Sequence, residues 1–179
     1  VGSEMCIRDR YEPGNDELYL NMGGKSFKNV SNFLKCNPGY GFGAVFTDVD
    51  NDNDLDIYLV NDFGENNEPN QILINQYPKL DFENKSKELK LNVGLKSMGV
   101  GVGDYNNDSY LDYHVTNIFA GPFMVNRGKD KSFVNLAPNI GTGINKIEGY
   151  KDSKQVIIGW GSLFVDYDHD KDLDLFNSN

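Results

Sequence analysis

Basic residues are scarce in this chain: 17 Lys and Arg stand against 27 Asp and Glu in 179 residues, a formal net charge of −10. That balance excludes a nucleic-acid backbone or an anionic membrane as the expected partner and makes cations the natural counterparts. No run of 18 or more apolar residues occurs, so no stretch reads as a membrane-spanning helix and no membrane insertion is expected. The N-terminus lacks the basic-then-apolar order of a signal peptide, which leaves export open. The two cysteines, Cys6 and Cys36, stand alone with no CxxC spacing, so zinc and redox sites are poor readings and isolated thiols the better one. Only two histidines exist, His114 in a strand-like run and His169 in an acidic loop, and no Ser/His/Asp set is legible. Catalytic residues are therefore not expected. GVGVGD at 99–104 is followed by neither a helix nor a phosphate-reading Lys, which excludes a nucleotide loop and leaves close strand approach as the reason for its glycines.

What the chain has in abundance is aspartate at alternate positions. FTDVDNDNDLDIYLVN (46–61) places Asp48, Asp50, Asp52, Asp54 and Asp56 directly before an apolar run. Two like charges about 4 Å apart repel by roughly 1 kcal/mol in water and by more where water is excluded, so something must neutralise them. The stretch returns as VGDYNNDSYLDYHVTN (102–117) and FVDYDHDKDLDLFNSN (164–179). Its first aspartates, Asp48, Asp104 and Asp166, are separated by 56 and then 62 residues, and a glycine (Gly43, Gly99, Gly161) stands five residues before each.

The intervening segments repeat as well. NDELYLN (15–21), PNQILIN (69–75) and GPFMVNR (121–127) are β-type runs closing on Asn21, Asn75 and Asn126. Each is followed by a second run from Phe27, Phe82 or Phe133, with an asparagine two residues on. β-branched and aromatic residues bounded by Gly, Asn, Asp and Pro are strand-and-turn signals, and nothing competes as helix. One unit reads strand, acidic loop, strand, turn, strand, turn, strand. The expected fold is all-β: about three four-stranded antiparallel sheets packed as β-propeller blades. Residues 141–158 read as a polar insertion in the third unit. Phe42, Met98 and Trp160 occupy one recurrent apolar position expected to pack.

Numbered from Asp48, the loop 48–56 offers side-chain oxygens at positions 1, 3, 5 and 9 (Asp48, Asp50, Asp52, Asp56) and a carbonyl at position 7 (Asp54). Six to eight hard oxygens of this kind are what calcium takes at about 2.3–2.6 Å, whereas magnesium demands a tighter octahedron. The loop 104–112 presents Asp104, Asn106, Asp108 and Asp112 with the carbonyl of Tyr110, and the loop 166–174 presents Asp166, Asp168, Asp170 and Asp174 with that of Asp172. Up to three calcium ions are expected. An EF-hand would need a glutamate at position 12, where Leu59, Val115 and Asn177 stand. The sites are expected to be unequal: Asn106 removes a charge from the second, and position 6, which favours a left-handed residue, holds Asn53, Ser109 and, unfavourably, Lys171.

GWGSLFVDYDHDKDLDLFNSN, GFGAVFTDVDNDNDLDIYLVN and the NxLYxNxGxxxFxNVS pattern at 15–31 resemble FG-GAP, or VCBS-type, repeats, the blades of integrin-α-like β-propellers, and are most similar to the CRTAC1-like, ASPIC/UnbV-domain subset. The resemblance covers residues 15–179. It implies a calcium-stabilised propeller, extracellular, periplasmic or at the cell surface, that binds protein or carbohydrate and is not an enzyme. The alternative it implies is the propeller portion of a secreted polysaccharide lyase, phosphatase or phospholipase. The loop glycine of the family is absent from all three copies. VGSEMCIRDR (1–10) shares no pattern with the rest and resembles translated sequencing-adapter sequence, so the repeats are read over 11–179, as a fragment. The triplets NVS at 29 and NKS at 84 fit the glycosylation sequon.

Overall fold

The structure is a computed structural model that describes residues 12–128, 132–142 and 158–179. The segment 1–10 and most of the 141–158 insertion lie outside those residues. Among the described residues twelve strands follow one another with almost no helix between them. Strands β1 (Tyr19–Asn21) and β2 (Phe27–Asn29) form a pair, followed by a short turn of 3-10 helix at Ser31–Phe33. Strands β3 (Tyr40–Thr47), β4 (Asp56–Asp62), β5 (Gln71–Asn75) and β6 (Phe82–Asn84) make one antiparallel meander. Strands β7 (Val100–Gly103), β8 (Asp112–Val115), β9 (Phe123–Asn126) and β10 (Phe133–Asn135) make a second. A single helical turn, α1 (Ala137–Ile140), precedes the last pair, β11 (Gly161–Val165) and β12 (Asp174–Ser178). The expected unit is thus realised twice in full. The remaining strands divide into two half-sheets at opposite ends of the stack.

Alternation along β4 decides the packing. Ile57 and Leu59 point to one face and join Leu73, Phe82 and the half-buried Leu18, Leu34 and Cys36. Tyr58 and Val60 point to the other and, with Ile72 and Ile74 of their own sheet, meet Tyr113, Val115, Met124 and Phe133 of the next. Both faces being covered, the run IYLV need not alternate apolar with polar, unlike a sheet with one wet face. Full burial of each such side chain contributes about 1.5–3 kcal/mol relative to exposure. The segment after β6 fills the gap between sheets with Leu89 and Leu91. A third cluster, Phe123, Val125, Ala137 and Phe164, joins the second sheet to β11–β12.

Polar contacts register one sheet on the next. The Thr47 and Tyr113 hydroxyls lie 2.8 Å apart, and the His114 ring, 2% exposed, has Nδ1 3.0 Å from Ser162 Oγ. Phe42 and Trp160, partners in the recurrent position of the sequence, pack ring to ring at 6.0 Å, and Met98, the third, is buried.

The inner strand of each unit approaches its neighbour closely, and β7 and the residue before it, Gly99, do so through glycine. A Cβ on Gly99 would lie 2.4 Å from the carbonyl oxygen of Trp160, which is backbone and has no rotamer to change. Gly99→Ala is expected to lower stability by about 1–3 kcal/mol in urea titration, the range for overpacking. Gly14→Ala, where an added Cβ meets nothing within 4 Å, is expected to be within about 0.5 kcal/mol of wild type.

Burial holds the His114 imidazole down to a pKa of about 4. The folded chain therefore binds fewer protons than the unfolded one between that value and the ordinary one near 6.5. Stability supplied by neutral His114 is complete above about pH 6.5 and is lost as pH falls toward 4. Wild type is expected to lose stability relative to His114→Gln across that window, read as the difference between their urea midpoints at each pH.

Candidate metal-binding loops

The three acidic loops join the first and second strands of their units: 48–56 between β3 and β4, 104–112 between β7 and β8, 166–174 between β11 and β12. Each has the same internal scaffold. The position-1 carboxylate accepts the backbone N–H groups of positions 5 and 6: Asp48 from Asp52 and Asn53 (both 3.1 Å), Asp104 from Asp108 and Ser109 (3.0 and 2.8 Å), Asp166 from Asp170 and Lys171 (3.1 and 3.2 Å). Such bonds fold the loop back on its own first residue, the Asx-type turn for which aspartate is suited.

Position 6 is left-handed in every copy, with φ of 70° at Asn53, 69° at Ser109 and 82° at Lys171. Position 4 is left-handed too, at Asn51 (59°), Asn107 (56°) and His169 (63°). That second reversal was not anticipated, although Asn in two of the three copies was its signal.

The fold brings some of the expected ligands together and sets others apart. One carboxylate oxygen from each of Asp48, Asp50 and Asp52 lies within 4.8 Å of the others, and the same holds for Asp166, Asp168 and Asp174. Asp54 stands beside the first cluster; burial, and then the charges of Asp52, Asp50 and Asp48, raise its pKa. One of its oxygens, Oδ1, is covered and has no hydrogen-bond partner among the described residues. Asp172 is raised likewise, chiefly by the charge of Asp170; its own N–H donates to Asp170 Oδ1 (3.0 Å). In the second loop the Asn106 amide donates to Asp108 Oδ2 (2.9 Å), and the N–H of Tyr110 to Asp108 Oδ1 (2.9 Å), so Asp108 is held by neutral donors.

Position 9 has a second task, which spacing alone did not reveal. Asp56 is fully buried; its Oδ2 accepts the Val49 N–H (2.9 Å) and its Oδ1 the Asn75 N–H (2.8 Å). Asp112 does the same with Tyr105 (3.2 Å) and Asn126 (2.8 Å). These carboxylates fasten the loop to the end of the third strand through its backbone, and the side-chain amide of Asn75 adds a bond to the Leu55 carbonyl (3.2 Å). Asn126 reaches further, its amide donating to the Val49 carbonyl of the preceding loop (3.2 Å), while Asn51 donates to the Ser109 carbonyl (2.8 Å). Burial pushes Asp56 up to a pKa of about 7 and Asp112 up to about 6, opposed by the N–H donors and assisted by neighbouring aspartates. Burial, more than neighbouring like charge, is thus what makes ionising these two carboxylates costly in the folded chain.

An exposed lysine in the left-handed region costs about 1–2 kcal/mol, part of which glycine returns through its freer unfolded chain. Lys171→Gly is expected to stabilise the metal-free protein by roughly 0.5–1 kcal/mol, measured by urea unfolding in EDTA.

Among curated proteins no relative matches the chain. The FG-GAP-like repeat family matches it over residues 4–59 and again over 48–115, more than half of its length, and the second match runs from the first acidic loop through the whole of β8. The chain belongs to the FG-GAP-like repeat family.

Proposed function

We propose that this chain is a calcium-binding β-propeller module that serves interaction with a protein or carbohydrate outside the cytoplasm and carries no catalysis of its own. The observation that carries the reading is the convergence of three carboxylate oxygens within 4.8 Å in the loops 48–56 and 166–174. Three anionic hard oxygens at that separation suit a hard divalent cation better than any organic ligand. The covered Oδ1 of Asp54 beside the first cluster has no hydrogen-bond partner among the described residues, which suits an acceptor for a cation.

In the first loop Asp48, Asp50 and Asp52 would hold the ion, with Asp56 from the floor and the carbonyl of Asp54. In the third, Asp166, Asp168, Asp170 and Asp174 would, with that of Asp172. A bound cation supplies the charge that permits all these carboxylates to ionise together. The second loop is the weakest, because Asn106 contributes no charge and its amide already occupies Asp108. A structural staple is the simplest role for such ions. Membership of the ASPIC/UnbV-related subset, and a location at the cell surface, in the periplasm or outside the cell, complete the proposal; they rest on the motif resemblance.

A ligand bound by the folded state alone raises the melting temperature by mass action. Millimolar calcium is expected to raise it by several degrees over EDTA, and magnesium by less. Asp50→Asn is expected to remove most of the increment and Asn106→Asp to enlarge it. An unchanged melting temperature in calcium would refute the metal reading.

A further inference from the structure

Two of the acidic loops are bonded to each other, at two separate points. At the first, Asn51, position 4 of the loop 48–56, donates from its side-chain amide to the Ser109 carbonyl (2.8 Å), position 6 of the loop 104–112. That carbonyl shares one planar peptide group with the N–H of Tyr110, and the N–H is accepted by Asp108 Oδ1 (2.9 Å). One rigid unit is thus gripped at its two ends, by a residue of the first loop and by an expected ligand of the second. Asn51 itself stands between Asp50 and Asp52, both expected ligands of the first loop, and Ser109 donates its own N–H to Asp104 Oδ2 (2.8 Å). Asn51 and Ser109 are exposed, so their bond holds only while the first loop keeps its shape.

The second point is Asn126, at the end of β9. Its backbone N–H is accepted by Asp112 Oδ1 (2.8 Å) and its side-chain amide donates to the Val49 carbonyl (3.2 Å), while the Val49 N–H is accepted by Asp56 Oδ2 (2.9 Å). The position-9 carboxylates of the two loops are therefore joined through two intervening residues. Asn126 is 3% exposed, so water competes little for its bonds.

Resting on the calcium reading above, we propose that the loops 48–56 and 104–112 bind calcium with positive coupling, an ion in either one raising the affinity of the other. An ion in the first loop would fix the backbone between Asp50 and Asp52, and with it the amide of Asn51. The peptide group of Ser109 and Tyr110 is then held before the second ion arrives, and the Tyr110 carbonyl, an expected ligand, follows it directly. Less conformational freedom is left to lose in the second loop, which is how one ligand favours another without a change of fold. Linkage makes the effect reciprocal. Charge works the other way, because an ion in the first loop offsets part of the negative charge that draws a cation to the second. Salt screens that opposition, with a Debye length of about 8 Å at 0.15 M, and leaves the bonds in place. The second loop, weakened by Asn106, then fills at a lower calcium concentration than its own ligands would give.

The test is calorimetric titration with calcium at about 0.15 M ionic strength. Asp168→Asn silences the third loop, and Asp50→Asn or Asp108→Asn added to it leaves a single working loop. The product of the two association constants in Asp168→Asn is expected to exceed the product of the two single-loop constants by about fivefold or more, the lower end of ordinary coupling. Asn51→Gly removes the donor yet keeps a residue at ease in the left-handed region that Asn51 occupies (φ 59°). Added to all three proteins, it is expected to shrink that excess at least about twofold, beyond the scatter of independent sites. Equal products, a smaller product in Asp168→Asn, or an excess that shrinks by less would overturn the coupling and leave the calcium reading standing. No calcium heat from the unsubstituted chain would overturn both.

Discussion

Each whole sheet depends on one buried carboxylate. Asp56 and Asp112 lie where the acidic loop re-enters the sheet, and each accepts one N–H from the loop and one from the third strand. A buried polar group left unpaired costs roughly 1–3 kcal/mol, so a carboxylate is tolerated here only because both oxygens have donors. The same two bonds fix where the loop stands relative to the outer half of the sheet. An aspartate chosen for its charge at the ion would be free to move; this one is anchored from behind. Placement of the proposed metal ligand and assembly of the sheet would therefore share an atom group.

Around that brace the sheets are layered face on face rather than laid over a single core. Tyr58 and Tyr113 meet across one interface with ring centroids 5.3 Å apart, and Phe123 and Phe164 across the next at 5.6 Å, edge to face. β4 is thus apolar on both sides, whereas β8 turns Tyr113 and Val115 to one side and His114 to the other. The contact at the inner edge is different in kind. There β7 has no side chains at Gly101 and Gly103, and β11 fills the space with Ser162 and Phe164. Aromatic packing sets the spacing of the layers and glycine lets their inner ends converge, which turns a stack into a fan.

The strand order, the loop positions and the convergence on glycine were legible in the sequence because they are local and repeated: DxDxDxxxD three times, a glycine five residues earlier, Asn after each third strand. What was not legible depends on neighbours far along the chain. That Asp56 is a brace as well as a candidate ligand follows only once Asn75 is brought 2.8 Å away. The lysine-rich stretch before Gly94 gave no sign that Leu89 and Leu91 are core, because its apolar residues are too few for any period. The division into two whole sheets and two halves was hidden for another reason. Sequence similarity starts at an acidic loop, hydrogen bonding starts at the strand before it, and only coordinates tell which of these bounds a blade.

The asparagine-x-serine triplets acquire a different meaning once the outer strands are seen. In Asn84-Lys85-Ser86, the asparagine amide donates to Gln71 Oε1 (2.9 Å), the serine hydroxyl donates to Asn84 Oδ1 (2.5 Å), and the Ile72 N–H is received by that hydroxyl (2.8 Å). Asn29 and Ser31 repeat the N–H pattern against Leu18. These triplets are closures for the end of a sheet. A glycan joined to the Asn84 nitrogen would replace one of the hydrogens that nitrogen donates, so sugar transfer and sheet closure would compete for the same amide, and whichever came first during synthesis would hinder the other.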